Sequence, residues 1–208
     1  GGLLLMVLSA GLIFGLFLLC SLYLQNVLGT GPLATGLAFI PLALAAGAGA
    51  HAGGQLISRR GVRMPLAGAF ALTAIGMALL STVDGNGSYM RDVLPGMLIA
   101  GIGLGVAVVA ASVAILTGAR HDETGMLSGL NSTGHELGGT LGIAVFSSIA
   151  AGATGGIAGP GAASGIASAF LAAGVVASVA ALIALTALPK ASRFLARLRL
   201  SPHEMPIH

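Results

Sequence analysis

Residues 3–24 read LLLMVLSAGLIFGLFLLCSLYL, with no Asp, Glu, Lys, Arg or His among them. As a helix rising 1.5 Å per residue, this run reaches about 33 Å, close to the thickness of a bilayer's hydrocarbon core. A helix that is apolar all round must be buried in a large core or bathed in lipid. Composition decides between the two. Hydrophobic residues make up 56% of the 208-residue chain and charged residues 7%, with a mean hydropathy of +1.00. A soluble domain carries about 25% charged residues. Nine Lys and Arg with six Asp and Glu cannot coat a core of this size in water, so the solvent of this surface is lipid.

Further along, the chain repeats the pattern. Runs of roughly 20 apolar residues fall at about 33–57, 65–83, 93–117, 126–150 and 163–188. With 3–24 they predict an all-α membrane protein, a bundle of six transmembrane helices over 1–188 followed by a basic tail at 189–208. The third run is the shortest and the fifth the most polar. Gly29, Gly31 and Pro32 break the first pair of spans, Arg59–Arg63 the second, and Asp84-Gly-Asn-Gly-Ser88 the third. Arg120–Glu123 is a charged break, and 152–165 is a Gly/Ala-rich external loop. Pro65 and Pro95 sit where a first helical turn tolerates proline, Pro189 closes the last span, and Pro41 predicts a kink inside the second.

Charge gives the orientation. Six spans place Arg59, Arg60, Arg63, Arg120, Lys190, Arg193, Arg197 and Arg199 on one side and only Arg91 on the other. Positive residues favour the cytoplasm, so both termini are expected there, in a multi-pass protein of the cell membrane. Residues 190–199 intersperse basic residues with Phe194, Leu195 and Leu198. They read equally as an amphipathic segment on the inner leaflet or as a disordered stop signal. The net charge of +3 is scattered, which argues against a nucleic-acid partner. Cys20, the one cysteine, cannot form an internal disulfide and reads as a plain thiol. The chain is apolar from Gly1 without a basic n-region, which reads as a piece of something longer.

Thirty-four glycines far exceed the usual share of ~7%. In lipid, small residues let backbones approach. Gly125 and Gly129, and Gly134, Gly138 and Gly142, are spaced by four and so share helix faces. Gly101, Gly103 and Gly105 read as packing positions, because the dinucleotide-loop pattern lacks its third glycine, its strand and its acidic partner.

Glu136 needs the most explanation. It lies ten residues beyond Met126, about 15 Å along a helix and near mid-membrane. A carboxylate there costs about 2.5–3.5 kcal/mol unless it meets a cavity or partner. Asn131 with His135, and Ser132 with Glu136, are pairs four apart; adjacent residues diverge by about 100°, so the two pairs cannot point the same way. One reading has Glu136 or His135 exchanging protons or meeting a cationic substrate in a water-filled pathway. The other has Asn131, His135 and Glu136 only hydrogen-bonding to neighbouring helices. His51 is expected to reach the interface or a backbone carbonyl. Gln25 and Asn26 end the first span as polar caps or a pore mouth, and Arg91-Asp92 forms an exposed pair. His135-Glu136 begins like a zinc-protease motif, but Gly139 stands where the second His is needed. No catalytic residue, metal site or cofactor is expected, and the chain is not read as an enzyme.

Three stretches together resemble a known family. Tyr23-Leu-Gln-Asn-Val-Leu-Gly29-Thr-Gly-Pro32, with Gly36 and Pro41, is similar to the Tyr-Leu-Gln…Gly-x-Ser-Pro…Gly…Pro signature of the fourteen-helix drug:proton antiporters, a branch of the major facilitator superfamily. Asn131, then His135-Glu-Leu-Gly138-Gly139, then Gly142 and Ala144, resembles that branch's Asn…Arg-Gln-x-Gly-Gly…Gly-x-Ala run. Gly54-Gln-Leu-Ile-Ser58-Arg59-Arg60-Gly61-Val-Arg63 is similar to its cytoplasmic Gly…Asp-Arg-x-Gly-Arg loop. Thr30 or Gly31 replaces the usual Ser, Ser58 the usual Asp, and His135-Glu136 the usual Arg-Gln. The resemblance implies the C-terminal half of a secondary transporter: proton-coupled efflux of lipophilic compounds by alternating access, with Arg59, Arg60, Gly61 and Arg63 as a cytoplasmic gate element. The partners implied are a small-molecule substrate, protons, the lipid bilayer, and a missing N-terminal half or a second copy. The alternatives are an exporter of a metabolite, sugar or peptide on the same fold, or a truncated membrane scaffold that transports nothing.

Overall fold

A computed structural model describes residues 2–116, 123–152, 159 and 161–188. The basic tail, the Arg120–Asp122 break and most of the Gly/Ala-rich loop lie outside the described residues. All the secondary structure described is helical. Lipid leaves a spanning backbone no alternative within a single chain segment, because each N–H and C=O must find its partner inside that segment.

α1 (Gly2–Leu22) runs on through a wide π-turn, Tyr23–Val27. α2 (Pro32–Ala38) and α3 (Ile40–Arg60) are two pieces of one rod, interrupted at Phe39. The predicted kink is therefore a break two residues ahead of Pro41. Pro41 has no N–H, and its ring would strike the carbonyl four residues back. The Phe39 N–H tightens onto Gly36 O at 3.2 Å, and the Tyr89 hydroxyl donates to the Ala38 carbonyl at 2.7 Å.

α4 (Arg63–Leu80) follows α3 after only Gly61 and Val62. A π-turn (Tyr89–Val93) leads directly into α5 (Leu94–Leu116). Pro95 thus sits one turn inside a continuous helix, and the wide turn before it relieves the missing N–H. α6 spans Thr124–Gly152 and α7 spans Ala162–Ala187. By length and composition, five segments can cross a membrane: 2–27, 32–60, 63–80, 89–116 and 162–187. α6 is 29 residues long but is not among these five, since its polar residues are spread along its length.

α1, α5, α4 and α7 pack in that order into a closed ring; α6 docks against α1 and α7, and α3 lies along α5. The ring encloses Leu12, Leu16, Phe70, Met77, Leu104 and Phe170, all at most 1% exposed. Outside it, large apolar side chains stand free: Leu33 is 79% exposed, Leu44 70% and Leu182 63%. An apolar exterior this extensive is a lipid-facing or partner-facing surface.

The glycines set helix spacing. Gly101 and Gly105 face α3, where a Cβ on Gly105 would strike the Ala46 carbonyl. Gly103, two residues and about 200° away, faces Ala69 and Thr73 of α4. The triplet thus lets α5 be packed from both sides. Gly125 and Gly129 have nothing within 4 Å of a built Cβ, so that pair packs against none of the described residues.

At the α3–α4 turn Gly61 holds φ 72° and ψ 179°, a region that is essentially glycine-only. We expect Gly61→Ala to destabilise the protein by about 1–3 kcal/mol. Thermal unfolding in detergent checks this; an unchanged midpoint would show that the turn relaxes freely.

Candidate functional site

α6 has two distinct sides. On one, Gly134, Gly138 and Gly142 meet α1: Gly138 abuts the Val7 carbonyl, and Gly142 abuts the Gly11 backbone. On the other, Ser128, Ser132, Glu136 and Thr140 recur every four residues and are all exposed. Glu136 lies about 18 Å into a helix about 43 Å long. No Asp, Glu, Lys, Arg or His occurs in α1, α5 or α7, the helices α6 packs against, so His135 and Glu136 have no charged partner on those helices. The Thr140 hydroxyl is satisfied within the helix, donating to the Glu136 carbonyl at 2.9 Å; hydrocarbon is the wrong solvent for the Glu136 carboxylate, which requires water or another protein surface.

Asn131 and His135 turn instead toward α1 and are half-buried. The Asn131 Oδ1 is buried with no hydrogen-bond partner among the described residues. The His135 ring meets Phe14 edge-on, with centroids 5.6 Å apart and planes at 78°. Beside it, α1 and α6 enclose an open groove of about 540 Å³, lined by Phe14, Phe17, Leu18, Ser21, His135 and Ile143. Its size falls in the range of small-molecule sites. Phe17 is stacked on Phe39, centroids 4.0 Å apart and planes at 10°, so the groove wall touches the break in the α2–α3 rod.

The remaining sequence candidates scatter. Gln25 is exposed on the π-turn, and its Nε2 donates to Ser21 Oγ at 2.9 Å; it is a rim residue one turn from the groove rather than a helix cap. Asn26 lies on the same turn. His51 is exposed and pairs with the Gln55 side chain at 3.0 Å rather than with a backbone carbonyl. Arg91 is exposed and 3.7 Å from Asp92. The Asp92 carboxylate also accepts the Ser88 N–H at 2.6 Å, so its work is to close the turn.

In the α3–α4 turn, Arg59 and Arg60 are exposed, while Arg63 buries its Nε without a hydrogen-bond partner among the described residues. Ser58, where related loops carry Asp, donates to the Gln55 carbonyl at 2.8 Å. None of the three arginines forms an ion pair among the described residues. In the Tyr23–Pro41 stretch, the Thr30 hydroxyl donates to the Leu24 carbonyl at 2.6 Å, and the Tyr23 hydroxyl reaches the Asp84 carbonyl at 2.7 Å. This polar cluster anchors the end of α1 to the turn before α5, away from the groove.

Sequence reasoning missed Phe14, Phe17 and Ser21. Their spacing (i, i+3, i+7) puts them on one face of α1, but in a run that is apolar throughout nothing marks that face.

Apolar helices ringed together, five of the segments long and apolar enough to cross a bilayer, define a polytopic membrane protein. Residues 2–143 match the Major Facilitator Superfamily, a family of membrane transporters, and the chain belongs to it. Among curated relatives, the puromycin resistance protein pur8 of Streptomyces alboniger is 31% identical over 144 residues, 68% of this chain and 29% of that protein. The multidrug resistance protein Stp of Mycobacterium tuberculosis (strain H37Rv) is 30% identical over 67% of this chain and 26% of its own. The tetracenomycin C resistance and export protein of Streptomyces glaucescens is 33% identical over 72% and 28%. The matched stretch is thus less than a third of each relative. The inward-open xylose transporter XylE of E. coli superposes with a TM-score of 0.69 at 20% identity, over 95% of this chain and 49% of that one. At that identity the likeness is one of fold.

Proposed function

We propose that this chain is the C-terminal six-helix half of a proton-coupled exporter of lipophilic compounds in the cell membrane, on the fourteen-helix plan, with both termini cytoplasmic. The observation that carries the reading is Glu136, exposed midway along α6 with a carboxylate that lipid cannot solvate. α6 is then the sixth span, tolerated because its polar side faces the pathway and the opposing half. That half is the missing N-terminal portion or a second copy; the overlap with 49% of the xylose transporter favours this. Glu136 carries the proton. His135, Asn131 and Gln25 lie along the substrate side, and Arg59, Arg60, Gly61 and Arg63 shape the cytoplasmic gate. The names of the relatives, resistance and export proteins for puromycin and tetracenomycin C, support export of drugs over uptake of sugars.

The test is accumulation of puromycin and tetracenomycin C in cells expressing the full gene. Expression is expected to lower accumulation of at least one compound, and a protonophore to restore it. Accumulation that ignores expression, or export that survives collapse of the proton gradient, would overturn the reading.

A further inference from the structure

Resting on that transport reading, we infer that the α1–α6 groove selects planar aromatic compounds bearing a carbonyl or carboxylate acceptor, and discriminates against cations. Three observations converge. Phe17 is 48% exposed and lines the groove while stacked on Phe39. A ring fixed by a stacked partner is a ready platform for a second ring. His135 is anchored by its contact with Phe14 and makes no hydrogen bond among the described residues, so its ring N–H is available to a ligand. Ser21 accepts from Gln25 and donates to none of the described residues, so its proton too is free.

Ser21 stands seven residues, about 10 Å, along α1 from Phe14. The groove thus offers a donor near each end with aromatic surface between them. No acidic side chain lines it, and Glu136 belongs to the stripe about 100° further round α6. A cation entering here would meet the ring faces of Phe14 and Phe17, a weak attraction at an open site, but no counter-charge, and would leave both donors unpaired.

The test uses the full-length protein in lipid nanodiscs, with empty nanodiscs as the blank, and reads binding from naphthalene fluorescence. The probes share one ring system: 2-acetonaphthone, 2-naphthoate and trimethyl(2-naphthyl)ammonium, with decalin-2-carboxylate as a saturated competitor. Both acceptor-bearing aromatics are expected to bind about tenfold or more tighter than the cation. His135→Ala and Ser21→Ala are expected to lose about tenfold, His135→Gln, which keeps a donor, to lose little, and Phe17→Leu to erase the preference over the saturated competitor. Equal binding of the cation would overturn the inference, and so would unchanged binding in His135→Ala and Phe17→Leu. Separately, 2-naphthoate efflux from vesicles should stop with a protonophore. If the binding pattern holds but that efflux is absent, the transport reading alone falls.

Discussion

Gly142→Leu is expected to leave little folded protein. A Cβ at Gly142 runs into the Gly11 backbone, with Gly11 Cα at 2.5 Å and its carbonyl carbon at 2.6 Å. Both sides of this crossing are already glycine, so neither has a side chain that can move aside. Relief requires α1 and α6 to separate, which also pulls Gly138 off Val7 and Phe146 off Gly15. Overpacking a core costs about 1–3 kcal/mol where side chains can adjust; against backbone the cost is at or above the top of that range. With helix association in lipid driven by close packing rather than by expulsion of water, no other force compensates. Gly125→Ala is the matched control. Its Cβ meets open space, and alanine favours the helix by up to about 1 kcal/mol. Fluorescence-detected size exclusion and thermal unfolding in detergent separate the two. A monodisperse Gly142→Leu protein with a normal midpoint would show that the two helices can slide past the clash.

Glu136→Gln is expected to remove uphill, proton-driven efflux while sparing downhill exchange of substrate. Glutamine keeps the shape and the hydrogen-bonding edge of the carboxyl group but cannot take up or release a proton at physiological pH. The exposed position of Glu136 on α6 means that it props up no helix contact among the described residues, so the substitution should leave this bundle folded. Loss of a group that transfers protons typically costs about a hundredfold or more. Everted vesicles with an imposed pH gradient measure the uphill rate, and counterflow without a gradient measures exchange. If uphill efflux persists undiminished in Glu136→Gln but fails in His135→Gln, the proton belongs to the groove side of α6. If it persists in both, α6 carries no proton.

The contrast between α6 and α1 shows what a sequence can reveal here. In α6 the polar residues break an otherwise apolar run, and spacing alone separates Asn131 and His135 from Ser132 and Glu136; the structure puts the first pair against α1 and the second in the open. α1 has no such marks. Phe14, Phe17 and Ser21 face the groove, while Leu12, Leu16 and Leu19, fully buried, face the ring, and residue type does not distinguish the two sides. Gly125 and Gly129 carry the same spacing as Gly138 and Gly142 yet meet none of the described residues. Spacing identifies a shared face but not whether a neighbour lies on it.

The amino-acid sequence by itself determined the solvent, the helical secondary structure and the break near Pro41, because these depend on local polarity and on the backbone chemistry of single residues. The tertiary structure alone decided that α1, α4, α5 and α7 close a ring, that Gly11 meets Gly142, and that an aromatic groove opens beside His135. The physical reason is that lipid tails and protein interiors are equally apolar. A spanning helix therefore need not record in its residue types which side touches protein, and that choice is settled only by the fit of one helix surface against another.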